Sequence, residues 1–201
     1  ISILLRDGRC FFKEYGGDEE AGVRFVRRSF ENPDGTKETP QWLQPLDSPK
    51  VSLDPMASTG LCLSTNDLYN ASKDRIAEIC IGLNRINLYS SDGKFTKSLC
   101  IGDTPDKISE IAKIKKENEY SVAYSTYGRA LADDEWFAAC IYAEDESRPE
   151  GWDIHVFDWN GKPLMNIHVP RMRDQFFALD VQRGRVIDPG REGYLLVYEA
   201  T

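Results

Sequence analysis

Histidine is scarce in this chain: there are two, His155 and His168, among 201 residues. The five cysteines, Cys10, Cys62, Cys80, Cys100 and Cys140, are widely spaced and form no CxxC pair. Structural zinc needs closely grouped ligands, so no zinc site is expected. Long apolar runs are also missing, and no segment is expected to cross a bilayer as a helix. Positive charge is not in excess. The formal net charge is -8, which argues against a phosphate-backbone binder, so no nucleic acid is expected as a partner. The basic run at residues 113–116 (KIKK) reads as a solvated face. There is no G-x-S-x-G elbow, no P-loop and no EF-hand calcium loop. The chain opens Ile1-Ser2-Ile3 without an initiator Met, as expected of a processed product or of part of something longer. The lack of a visible signal peptide therefore says nothing firm about export.

What is present is β-rich. At 41% hydrophobic and 29% charged, the composition is that of a soluble globular chain. ISILLRDGRCFF reads as two short strands around the turn pair Asp7-Gly8. VRFVRRSF alternates over Val23 to Phe30, and the turn NPDG follows. Residues 38–59 hold four prolines and read as a long irregular connection, with Trp42 and Leu43 packed back. Strands are then expected at Arg75–Ile81, Arg85–Tyr89, Lys94–Cys100, Tyr120–Gly128, Glu135–Ala143, Asp153–Phe157, Leu164–Val169, Phe176–Val181, Arg185–Ile187 and Tyr194–Tyr198. Residues 108–118 fit a short helix or a strand. Cys80 in AEICIGL and Cys140 in FAACIYA sit in apolar strand-like runs and read as buried free thiols. The odd cysteine count leaves at least one unpaired within the chain.

Short strands with turn signals between them fit sandwiches, barrels and propellers alike. An internal repeat favours the last. ICIGLNRINLYSSDGKFTKSL aligns with RPEGWDIHVFDWNGKPLMNIH at an offset of 68: Ile86 falls on Ile154, Leu88 on Val156, Gly93 on Gly161 and Leu99 on Ile167. Each copy is two strands around a polar turn ending in Gly-Lys. We therefore expect an all-β, β-propeller-like domain over residues 1–201, built of antiparallel four-stranded blades. The turn pair Asn160-Gly161 predicts a two-residue hairpin with Gly161 at positive φ. Trp159 is expected to cover the end of the sheet, and no ligand is needed to explain these turns.

The segment HVFDWNGKPLMNIHV (His155–Val169) resembles an outer hairpin of the TolB-like six-bladed β-propeller proteins of Bacteroides-type bacteria. Asn70–Pro105 is similar to a second stretch of that family, and FFALDVQRGR (Phe176–Arg185) to the start of a following blade. The likeness covers about residues 60–198, and residues 1–59 only loosely. It implies a periplasmic or cell-envelope location. Six blades need roughly 250 residues, at about 40–45 per blade. This chain has room for about four, so an incomplete or truncated propeller is expected. Such a propeller exposes the side of a terminal blade and favours self-association.

Chemistry is sparse. The acidic runs Asp133-Asp134-Glu135 and Glu144-Asp145-Glu146 could pair carboxylates for glycoside work or collect calcium, but they read as solvated loops. Asp67 and Asp74 are expected to flank a turn. His155 and His168 read as partly exposed strand residues, not as a pair, and no nucleophile is identified for either. Four tryptophans and nine tyrosines leave room for a contact surface at loop ends. The expectation is non-enzymatic binding or scaffolding, with a protein, peptide or glycan partner. No catalytic, cofactor-binding or metal-binding residue is assigned. The alternative is a hydrolase or lyase using carboxylates or a metal in a central channel.

Overall fold

The computed structural model describes residues 2–18, 23–38, 51–52, 65–81, 83–100, 127–143, 151–170, 177–189 and 194–199. The expected strand at 120–126, the ambiguous segment 108–118, and Cys62, Trp42 and Leu43 lie outside them. Within them the chain is all-β, apart from one 3-10 turn at Val181–Arg183. The strands form four antiparallel sheets in chain order.

The first sheet holds β1 (Ser2–Leu4), β2 (Cys10–Asp18), β3 (Val23–Glu31), β4 (Lys37–Glu38) and β5 (Val51–Ser52). Both β4 and β5 pair with β3, β4 near its end and β5 near its start. The connection expected at 38–59 therefore contains a short paired strand. The second sheet is the meander β6 (Thr65–Asn70), β7 (Arg75–Cys80), β8 (Arg85–Ser90) and β9 (Phe95–Cys100). The third is β10 (Tyr127–Ala132), β11 (Trp136–Ala143), β12 (Gly151–Asp158) and β13 (Pro163–Pro170). The fourth has three strands, β14 (Ala178–Asp180), β15 (Arg185–Pro189) and β16 (Leu195–Glu199). The sequence TNDLYN of β6 has little strand propensity, and the sequence reading passed over it. It forms because β7 supplies a full ladder of partners from Thr65↔Cys80 to Asn70↔Arg75.

The repeat is structural. Strands β8 and β12 are the third strands of their sheets, and β9 and β13 the fourth. The aligned pairs Ile86↔Leu99 and Ile154↔Ile167 are cross-strand neighbours. Both hairpins shift register at the same place, after Leu88 and after Val156. The turn expected to hold two residues holds three. Gly161 N–H donates to Asp158 C=O at 2.8 Å, and Asp158 N–H to Lys162 C=O at 2.9 Å. That is a turn closed by a one-residue bulge whose glycine takes positive φ, here 75°. The same pair of bonds closes Leu5–Arg9, Asn32–Thr36 and Ser90–Lys94, with Gly8, Gly35 and Gly93 at φ 82–85°. In each turn Asp or Asn precedes the glycine. Asn32–Thr36 ends the third strand of its sheet, so the first sheet carries a further copy of the repeat.

Successive sheets pack face to face. Leu5, Phe11 and Phe30 of the first meet Ile76 and Tyr89 of the second. Ala77, Ile79, Ile86 and Leu88 of the second meet Phe137, Ala139, Ile141 and Trp159 of the third. Ile154, Val156, Ile167 and Val169 of the third meet Phe177 and Val186 of the fourth side. Between sheets, β6 approaches both β1 and β10, the first strands of their sheets.

Candidate functional site

Two ends of the stack can be told apart. At one end the short turns hold each other. Arg6 N–H donates to the Tyr69 hydroxyl at 3.2 Å, and Arg9 to Ser91 C=O at 3.3 Å, tying the first sheet to the second. The Asn70 amide donates to Asp134 C=O at 2.9 Å, tying the second to the third. The Trp159 indole donates to Asp133 C=O at 2.9 Å, and Trp159 is buried on Phe137. Trp159 thus covers the sheet end, as the sequence suggested. The meander order sends Asp18, Val23, Cys100, Tyr127, Ala143 and Gly151 to the opposite end.

Between the two ends, at the junction of the first and second sheets, lies a buried layer of charge. Strand alternation places Thr65 and Asp67 of β6, Glu78 of β7, Asn87 of β8 and Ser98 of β9 on the face toward the first sheet. Asp67, Glu78, Asn87 and Ser98 are direct cross-strand neighbours and form one row. Opposite them stand Lys13 and Arg28, themselves paired across β2 and β3. Arg28 grips Glu78 with two hydrogen bonds, Nε to Oε2 at 2.5 Å and Nη2 to Oε1 at 2.7 Å. Lys13 Nζ reaches Asp67 at 2.6 Å, Glu78 at 2.9 Å and the Thr65 hydroxyl. The Asn87 amide donates to Glu78 at 2.9 Å, and Ser98 donates to Asn87 at 2.7 Å.

The electrostatics follow from this geometry. Burial alone would push the Glu78 carboxyl up; Arg28 and Lys13 outweigh it and hold the carboxyl well below its usual range. Burial would likewise lower Lys13, but Glu78 and Asp67 raise it. Burial, and then the Glu78 charge, push the Cys80 thiol up to about 12 and the Tyr89 phenol well above its usual value. Two cations meet two carboxylates, all three Lys13 protons have acceptors, and both Glu78 oxygens are multiply bonded. The opposed charges clamp the first and second sheets together. Among the described residues one buried side-chain polar atom has no partner, Nε of Arg85.

The residues singled out from sequence are dispersed. Asp133, Asp134 and Glu135 form an exposed hairpin turn, where Asp133 caps the N–H groups of Glu135 and Trp136 at 2.7 and 2.9 Å. Asp67 does not flank a turn: it sits inside β6 with its carboxylate on Lys13. Asp74 is in the β6–β7 turn at φ 56°. The run 144–146 lies outside the described residues. The described tryptophans are packing residues: Trp152 and Trp159 are buried, and Trp136 packs on the third-sheet core. Of the cysteines, Cys80 and Cys140 are buried, as expected, while Cys10 and Cys100 are half-buried.

His168 does have a partner. Its Nδ1 lies 2.8 Å from Asp153, its neighbour across β12 and β13, with the histidine partly exposed and the carboxylate largely buried. The pair escaped notice because Asp153 and His168 lie fifteen residues apart, and only the β12–β13 register brings them together. No group of three or more His, Cys, Asp or Glu residues among the described residues is placed to hold a metal ion. Searches against family models and against curated proteins find no match for this chain.

Proposed function

We propose that this chain is a non-catalytic binding or scaffolding β-propeller of the bacterial cell envelope, whose partner is a protein, peptide or glycan. The blade reading is supported by successive sheets packed face to face in chain order, and by β6 lying beside the first strands on both sides. One observation carries the binding reading. The short-turn end is closed by its own hydrogen bonds, and the charge layer behind it is saturated. The opposite ends of β9, β10, β11 and β12 face away from these bonds, and the ends of strands on a rigid scaffold are where recognition is usually carried. The test is binding of the whole chain to peptide and glycan arrays, alongside turnover of glycosides, lactones and esters with and without Ca²⁺ and Zn²⁺. Saturable binding to one class without turnover is expected, and its absence overturns the reading.

A hydrolytic reading has one observation in its favour, the Asp153–His168 pair. A buried carboxylate orienting a partly exposed imidazole supplies two of the three members of a nucleophile–base–orienter set. Turnover in the same screen, abolished by His168→Ala, would put an enzyme in place of the binding protein.

A further inference from the structure

Arg85 is a buried cation that the charge layer does not neutralise. It opens β8 and, by alternation, shares with Asn87 and Tyr89 the face toward the first sheet. Along that face Tyr89 lies nearest the short turns, Asn87 lies in the charge layer, and Arg85 lies at the opposite end. Only 8% of Arg85 is exposed, yet its Nε has no hydrogen-bond partner among the described residues. The carboxylates of the adjoining layer, Asp67 and Glu78, are held by Lys13 and Arg28. The buried Cys80 thiol is near enough for Arg85 to pull against its rise to about 12, but at that value it is neutral at ordinary pH and supplies no charge. Cys100 stands directly across from Arg85 on β9. A buried charge needs a partner, and a guanidinium cannot escape the cost by losing its proton.

We propose that Arg85 binds the carboxylate of a ligand, at the end of the junction between the first and second sheets that lies away from the short turns. A guanidinium offers Nε–H and an Nη–H side by side, a fork that matches the two oxygens of a carboxylate. Charge balance favours a monoanion. The layer behind Arg85 sets two cations against two carboxylates, so one positive charge is left to be met. A phosphate monoester brings about -1.5 to -2 at neutral pH and would place surplus negative charge beside Asp67 and Glu78. A free organic acid and the C-terminus of a peptide share the carboxylate chemistry. Such a site does not rest on the binding reading, since a small acid needs no macromolecular partner.

The Arg85 Nε–H resonance of the isotope-labelled whole chain tests it, assigned by its loss in Arg85→Lys and Arg85→Met. Acetate, phosphate and chloride are titrated at matched ionic strength, together with N-acetyl-glycylglycine and its C-terminal amide. Acetate or the free-acid peptide should shift the resonance saturably; chloride and the amide should not. Tighter binding of acetate assigns the site to small acids, and tighter binding of the peptide assigns it to chain ends; either supports the proposal. Acetate should also raise the melting temperature of the wild type above its value in chloride. Arg85→Met, which has no charge, and Arg85→Lys, which has no fork, should both lose that rise. A resonance that no carboxylate moves overturns the proposal. So does phosphate acting at lower concentration than either carboxylate, or a melting response to acetate that survives in both variants.

Discussion

The second sheet presents its two faces to two different solutions of the same packing problem. Counting back from the turn that ends the third strand makes the positions comparable. Four residues before the turn stand Arg28, Ile86 and Ile154; two before it stand Phe30, Leu88 and Val156. Toward the third sheet, the interface is apolar, with Ile79, Ile86 and Leu88 against Phe137, Ala139 and Ile141. Toward the first sheet, Arg28 occupies the place of an isoleucine. Glu78, Asp67 and Asn87 occupy the register positions that Ala139, Ala130 and His155 hold in the third sheet. Backbone geometry is shared, and side-chain chemistry is not. An apolar interface tolerates several pairings of similar volume, whereas a charge layer tolerates only the one that neutralises it.

The comparison can be broken from either side. Glu78→Gln leaves Lys13 and Arg28 buried with one carboxylate between them and should cost on the order of 3–5 kcal/mol. Phe137→Ala, in the apolar interface, should cost about as much through the cavity it opens beside Phe157 and Trp159. Urea melts measure both losses. What separates them is repair: replacing Lys13, Arg28, Asp67 and Glu78 together with apolar residues of similar volume should restore most of the stability lost in Glu78→Gln. If the fourfold variant is no more stable than the single one, the layer does more than fill space and cancel charge.

Acid should separate the two interfaces next. The Glu78 carboxyl is depressed in the folded state, so its contribution is fully present above its ordinary value of 4.5. It is lost as pH falls from there toward the lower folded value. Lys13 is raised, so its contribution is complete below 10.5 and is lost as pH climbs above that. Melting temperature should therefore fall below pH 4.5 in the wild type and fall less in the fourfold apolar variant. Parallel acid profiles for the two proteins would remove the layer from the account.

A smaller effect tests the turns. Gly35 and Gly161 share positive φ, but only Gly161 lies under another sheet. A Cβ there would come within 2.8 Å of Leu88 and 2.9 Å of Lys97, whereas at Gly35 nothing lies within 4 Å. Gly35→Ala should cost about 1–2 kcal/mol from conformation alone. Gly161→Ala should cost more than that, and Gly161→Val more again; equal losses at the two sites would show that the neighbouring sheet yields. The smallest change expected is Lys73→Ala. Its partner Glu135 is 3.2 Å away, both are exposed, and the loss should stay within roughly 1 kcal/mol.

Much of this was legible before folding. The Gly of each Asp-Gly or Asn-Gly pair marked a turn because few other residues accept positive φ, although the loop length was misjudged by one residue. Length was hidden because the bulge depends on the cross-strand register, which the turn sequence alone does not state. The hairpin repeat was visible through its Gly-Lys endings. Its copy at Asn32–Thr36 was not, since Thr36 replaces the lysine and Arg28 breaks the apolar match. RIAEICI showed Glu78 on one face with Ile76 and Cys80, and nothing in that heptapeptide says whether the face meets water or Arg28.

Period-two alternation and turn chemistry are local, so the amino-acid order by itself determined that this chain would be strands and tight turns, and which residues would share a face. Burial is not local. Lys13 meets Asp67, and Arg28 meets Glu78, across fifty or more residues of chain, and Asp153 meets His168 only through the register of two strands. Whether a carboxylate is a solvated surface group or half of a buried clamp depends on what the opposite sheet places a few ångströms away. Only the tertiary structure decided that, because Coulomb attraction and desolvation both act through space rather than along the chain.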